Sequence, residues 1–261
     1  IPRFSVTREN YRAMFREYLP VLLKTIFLSM LIFIVLLGIL VTFSRTAWAL
    51  SVLISLVAIA YTLMIASFRR SALKLFVVLA ASYWLLVVSF SPFILPRAQI
   101  SLSEPSVTER LSYNALGFQI VSEHPFGVGI GNQVFAAVED GSYERAGILN
   151  SKLWQPIHNI YLLVASETGI LGGLTFLIFL ATILISNFKI LISKQASISN
   201  DQNGLGKLEI FISTLSLVAL LLFGLFDHFF WTLEQGRLML WFAIGLAMAA
   251  SARSSTDRMH P

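Results

Sequence analysis

The run HNIYLLVASETGILGGLTFLIFLATILI occupies residues 158–185, and after its opening histidine Glu167 is its one charged side chain. An α-helix needs about 20 apolar residues to cross the hydrocarbon core of a bilayer, so this stretch reads as a transmembrane helix with a polar mouth. An imidazole at such a mouth is costly to keep there unless it is used, which makes His158 a candidate site residue.

Apolar stretches of similar kind recur at 20–43, 47–68, 73–95, 208–226 and 238–250, and with 157–185 they give six predicted spans. The last is short unless it begins nearer Trp231. The whole composition agrees, with 56% hydrophobic residues, 13% charged and a mean hydropathy of +0.77, too apolar for a soluble domain. The predicted class is therefore all-α, a polytopic membrane protein with about six transmembrane helices and one large outer loop.

Basic residues accumulate on the cytoplasmic side of a membrane, and they orient the chain. With the N-terminus inside, the outer side keeps only Arg45, Arg97, Arg110, Arg145, Lys152 and Arg237 of 19 Lys and Arg. Membrane orientation thus explains the net charge of +5, and nucleic acid is excluded as the expected partner. The predicted organisation is a basic cytoplasmic or interfacial segment at 1–19, three spans at 20–95, an outer loop at 96–156, three spans at 157–250 and a cytoplasmic tail at 251–261. Within the first segment, Tyr11, Met14, Phe15, Tyr18 and Leu19 share one helical face and predict a helix in the inner headgroup layer. The sequence opens at Ile1 with no signal-type segment before the first span, which predicts a piece of a longer chain.

Cysteine is absent and the four histidines are scattered, so neither a disulfide framework nor a zinc site is expected. No acidic cluster has magnesium-ligand spacing. In the outer loop, Ser106 to Glu109 form a capping-box pattern that opens a helix with Val107, Leu111, Ala115 and Phe118 on one stripe, ended by His124-Pro125. The glycines at 127, 129 and 131 follow, and a tight turn at the membrane surface suits them better than a dinucleotide fingerprint.

Three positions invite chemistry. His158, placed in the first turn of a helix, feels the positive end of the helix dipole and is held in the neutral, proton-accepting form; an interfacial histidine bonded to a loop carbonyl is the plainer alternative. Arg45, in the polar break Ser44-Arg45-Thr46, is a cation on the basic-poor side, balanced either by a phosphate or by lipid headgroups. Arg110, near the start of the loop helix, is a second anion-binding candidate, or the ion-pair partner of Glu109 or Glu104. Ala165, Gly169 and Gly173 predict a small-residue face for close helix packing. Glu167 lies nine residues along from His158, about 13 Å of helix rise, too far for both to touch one substrate atom. Asp227-His228, with Trp231, Glu234 and Arg237, forms the last outer turn, either an acceptor-binding rim or a solvated loop with an aromatic belt.

These segments together resemble a known family. His158-Asn159 followed by Gly169 and Gly172, the turn Ser44-Arg45-Thr46, and the stretch from Arg110 to His124-Pro125-Phe126-Gly127-Val128-Gly129 are similar, in that order, to the signatures of the bacterial O-antigen ligases and the related O-antigen polymerases and protein O-oligosaccharyltransferases. The resemblance implies a membrane glycosyltransferase without metal or other cofactor, in the bacterial inner membrane, with its active site facing the periplasm. It implies undecaprenyl-diphosphate-linked glycan as donor and a lipid A core or a growing polysaccharide as acceptor. By the same resemblance Arg45 and Arg110 bind the diphosphate and His158 is the catalytic base, with Asn159, Glu167, Asp227 and His228 as supporting residues. Family members have roughly twice as many spans, so an N-terminal half is expected to be missing. The competing readings are a polysaccharide polymerase of the same family, a small-solute (bicarbonate-type) transporter, and a truncated, inactive remnant.

Overall fold

A computed structural model describes residues 8–98, 104–192 and 202–256. Among them all regular structure is helical. The basic positions Arg3, Lys194 and Arg258 lie outside the described residues.

Helix α1 (Arg8–Val41) runs through Pro20 as one helix and turns back at Thr42-Phe43-Ser44 into α2 (Arg45–Met64). Ser44 makes that turn possible, because its hydroxyl accepts from the Ala47 N–H at 3.2 Å and caps the new helix. A short 3-10 turn (Ala66–Phe68) leads to α3 (Arg69–Ser89), and α4 (Ser91–Ala98) continues outward. Helices α5 (Pro105–Glu123), α6 (Gln133–Glu139) and α7 (Ser142–Arg145) form an outer cap. Helix α8 (Ile160–Ile192), α9 (Gln202–Gly224), the one-turn α10 (Phe229–Thr232) and α11 (Glu234–Thr256) complete the chain.

Five helical segments are long and apolar enough to cross a bilayer: Tyr18–Val41, Arg45–Met64, Ala66–Ser89, Ile160–Ile192 and Leu205–Gly224. The chain is a multi-pass membrane protein. The predicted sixth span, 238–250, lies within α11, which is longer than expected but less apolar. It buries Leu240, Ala243, Ile244 and Ala247 with Leu217 and Leu221 of α9 and Leu180 and Ile183 of α8. At the far end of this bundle the amide of Asn187 donates to Thr214 Oγ1 at 2.9 Å and to the Ala247 carbonyl at 3.1 Å, tying α8, α9 and α11 together. Helix α2 joins α9 through Tyr61 stacked on Phe211 at 3.7 Å. The outer faces of the spans stay apolar and unburied, Phe27 and Trp84 among them, as lipid-facing helices require.

Two expectations are corrected. The small-residue face does not exist as a continuous stripe, because Gly169 has φ 80° and ψ 173° and breaks α8 into two helices. The turn at 124–129 enters the break: the Pro125 carbonyl accepts from Ile170 N–H at 2.9 Å, and the N–H groups of Val128 and Gly129 donate to the carbonyls of Ser166 and Glu167 at 3.0 and 2.9 Å. The loop thus takes up backbone groups that the helix gives up. The capping box also fails. Glu104 is the N-cap residue of α5 and Pro105 its first residue, since the proline ring presets φ for that position. Ser106 instead accepts from Arg45 at 3.3 Å. The stripe that α5 buries is Tyr113, Leu116, Gly117 and Ile120, while Leu111 and Phe118 face outward.

Candidate functional site

The cap is built on a second core of Tyr113, Leu116, Ile120, Ala137, Tyr143, Ile148, Ile157 and Leu163. It brings α5 over the mouth of α8. His158 lies two residues before α8, and Asn159 is the residue that caps it, with Oδ1 accepting from the N–H groups of Tyr161 and Leu162 at 3.0 and 3.2 Å. The helix start predicted at His158 is therefore displaced by two residues, and Asn159 aims the chain at that point.

The imidazole of His158 is sandwiched rather than solvated. Tyr113 stacks on one face at 4.5 Å, and the ring of His228 meets it edge-on at 5.0 Å. Tyr113 is itself held by its hydroxyl, which donates to the Leu153 carbonyl. Burial pushes the pKa of His158 below 6.5. Asp227 opposes that shift, Arg110 adds to it, and the Pro156 carbonyl and Glu109 oppose it more weakly. The direction of this shift is the one that the sequence predicts, but burial rather than the helix dipole is its first cause. Nδ1 is buried and, among the described residues, has no partner within full hydrogen-bonding geometry.

Of the last outer turn, Asp227 and His228 lie beside this ring. Burial raises the pKa of Asp227 above 3.8, against the lowering effect of the His228 N–H, which donates to Oδ1 at 2.8 Å. Burial, helped by the neighbouring His158, lowers His228 to about 4. Its Nδ1 lies 2.7 Å from Thr232 Oγ1.

A cavity of about 1020 Å³ opens beside this cluster between α1, α2 and α9. Its floor is apolar, with Leu36, Ile39, Ile54 and Phe223, and its rim carries Arg45, Arg97, Arg110, Ser106 and Asp227. Arg110 makes no hydrogen bond or ion pair among the described residues, which leaves its five donors for a ligand. Arg45 is engaged by both oxygens of Glu104, one at 2.6 Å. The counter-charge expected at Arg45 is thus supplied in this state by a carboxylate of the chain itself. Arg97 reaches the Phe43 carbonyl at 3.3 Å and lies over the Phe43 ring at 5.0 Å. Sequence reasoning treated Arg97 only as an orientation charge and passed over Tyr113. The signal for Tyr113 was its place three residues after Arg110, on the same face of one helix.

Glu167 stays apart from this cavity. It is buried and accepts from Trp231 Nε1 at 2.7 Å, a partner within the bundle. Elsewhere Glu123, His124 and Asp140 offer atoms within 4.8 Å of one another. Those atoms are engaged: His124 Nε2 lies 2.8 Å from Asp140, and Glu123 accepts from Gln119 and Arg145 at 3.0 and 2.9 Å.

A family model described as O-antigen ligase matches residues 30–177, more than half of the 261-residue chain. The matched stretch holds Arg45, Arg110, His158, Asn159 and Glu167 and stops short of Asp227 and His228. No curated protein and no solved structure matches the chain.

Proposed function

Since the chain belongs to the O-antigen ligase family, we propose that it moves a glycan from undecaprenyl diphosphate to a hydroxyl of an acceptor glycan, on the periplasmic side of the inner membrane. One observation carries this reading: the guanidinium of Arg110, unpaired among the described residues, stands with Arg45 and Arg97 at the polar end of an apolar cavity of about 1020 Å³, and Arg110 and Asp227 of its lining both act electrostatically on His158. An apolar floor under a cationic rim suits a ligand made of an isoprenoid and a diphosphate. It does not suit a small hydrated solute such as bicarbonate, which needs a polar path at mid-membrane.

In the proposed reaction an acceptor oxygen attacks the anomeric carbon of the donor sugar while His158 takes its proton. The bond from that carbon to the diphosphate oxygen breaks, and the electron pair leaves with the lipid diphosphate. Arg110 and Arg45 stabilise the charge that grows there. Asp227, one of the charges that favour protonated His158, steadies the imidazolium as it forms. Arg45 takes part by exchanging the Glu104 carboxylate for phosphate oxygens of similar forked geometry.

The test is glycan transfer by the full-length protein in nanodiscs with purified lipid-linked donor and acceptor. Transfer in the wild type that is lost in His158→Ala, with membrane insertion intact, supports the reading. Undiminished transfer by His158→Ala refutes it. A deletion strain then separates the two activities of the family: long lipid-linked chains left unattached mark a ligase, and single-repeat products mark a polymerase.

A further inference from the structure

A second cavity, of about 430 Å³, lies across α10 from the first. Asp227, Phe229 and Phe230 face the first cavity, and Trp231 and Thr232 face the second, so the single turn of α10 is the partition between them. His228 sits in that partition, joined to Thr232 on one side and edge-on to His158 on the other.

The lining of the second cavity has a different chemistry. Two indoles, Trp231 and Trp241, stand with the carboxylate of Glu167, the guanidinium of Arg237, the hydroxyl of Thr232 and the amide of Gln133. Glu167 is only 5% exposed. One of its oxygens accepts from Trp231, and the other makes no hydrogen bond among the described residues, which leaves it free to accept from a ligand. Gln133 is 1% exposed, its Oε1 accepts from Ile157 N–H at 3.2 Å, and its side chain acts on the Tyr143 hydroxyl, so it shapes the wall of the cavity. Arg237 makes no ion pair among the described residues. Unused donors and acceptors of both kinds beside flat apolar rings match a ligand with many hydroxyls on an apolar ring face. A lipid chain would leave these polar groups unsatisfied, and a phosphate would meet the Glu167 carboxylate.

We propose that this second cavity is the acceptor subsite, where sugar rings stack on Trp231 and Trp241 and bind through Glu167 and Arg237. The inference rests on the transferase reading and adds to it the place of the acceptor. Donor and acceptor then approach His158 from the two sides of α10. The volume falls within the range of about 300–1,000 Å³ usual for small-molecule sites.

The experiment uses the full-length protein in nanodiscs and two probes from one strain, the delipidated lipid A core oligosaccharide and the delipidated O-antigen repeat. Binding is read by tryptophan fluorescence. One probe is expected to bind, tenfold or more weakly to Glu167→Gln and Arg237→Gln, and within twofold of wild type to Arg110→Gln. Glu167→Gln keeps an acceptor for Trp231, and Arg237→Lys recovers part of the loss if charge matters there. Binding of the core marks a ligase acceptor and binding of the repeat a polymerase acceptor. Absence of binding by either probe, indifference to both substitutions, or equal weakening by Arg110→Gln overturns the subsite. Donor binding, measured in the same nanodiscs with a lipid diphosphate bearing one sugar, keeps the two readings apart. Donor binding through Arg110 without oligosaccharide binding retires the subsite alone. Oligosaccharide binding through Glu167 and Arg237 without any transfer retires the transferase reading.

Discussion

Gly127 and Gly169 meet backbone against backbone. A Cβ on Gly127 would lie 2.4 Å from the Glu167 carbonyl oxygen and from the Gly169 nitrogen, and one on Gly169 would lie 2.7 Å from the Pro125 carbonyl oxygen. Both residues have φ near 80°, the left-handed region that glycine adopts at little cost. This contact lets the outer cap plug the break in α8, and it fixes the short helix that follows His158 against α5.

Alanine at either position must therefore open the joint. Gly127→Ala and Gly169→Ala each combine a steric clash with an unfavourable φ, a loss of several kcal/mol by the mechanisms that give large effects. The expected outcome is a marked fall in the thermal midpoint of the detergent-solubilised protein, followed by fluorescence-detected gel filtration. Gly38→Ala is the control: nothing lies within 4 Å of its added Cβ, and its helix gains about 1 kcal/mol of propensity.

For His158 the expected profile is set by burial. Its pKa lies below 6.5, so the imidazole is already neutral at pH 7 and transfer falls only as acid protonates it. The acid limb of turnover is predicted below pH 6.5 with no loss between pH 7 and 8, measured as initial rate at saturating donor. An acid limb centred above pH 7 would mean that another group titrates.

The Arg45–Glu104 pair predicts opposite effects from its two members. Arg45→Lys removes the fork that holds two oxygens at once and should raise the donor KM about tenfold. Glu104→Gln removes the resident competitor and should lower it severalfold. The pair is partly exposed, at 24% and 29%, so its contribution to folding is small. A donor KM that rises in both variants would show that Glu104 holds Arg45 in place rather than competing for it.

The class of the fold was legible because spans are written in one-dimensional hydropathy: the stretches at 20–43 and 47–68 need only length and composition to be recognised. Arg45, His158 and Asp227 stood out because a polar group at a span end needs a reason, and Arg110 because it stands near the start of the loop helix. Long-range exchange between loop and helix was not legible. The run from Ala165 to Gly173 has the spacing of a packing face, and nothing local says that the Pro125 carbonyl will take the Ile170 N–H. For the same reason Glu104 was named only as an alternative partner of the nearby Arg110 and not of Arg45, 59 residues away. Trp241 carried no signal, since an aromatic residue on an apolar face is ordinary until its partner is seen.

His228 gives the last prediction, on stability. In the folded protein its pKa is lowered to about 4 from the ordinary 6.5. Between those values the unfolded chain binds a proton that the folded chain refuses, so stability rises with pH through that window and is level above it. Acidification from pH 6.5 to 4 should therefore cost up to about 3 kcal/mol from this group. Asp227, whose pKa is raised above 3.8, acts in the opposite sense at the acid end of the same window. Comparison with His228→Gln isolates the histidine, because glutamine keeps a side chain that bonds Thr232 without titrating. Thermal midpoints in detergent should drop steeply below pH 6 in the wild type and less steeply in His228→Gln. Equal slopes would show that His228 is solvated and that α10 does not seal the partition between the two cavities.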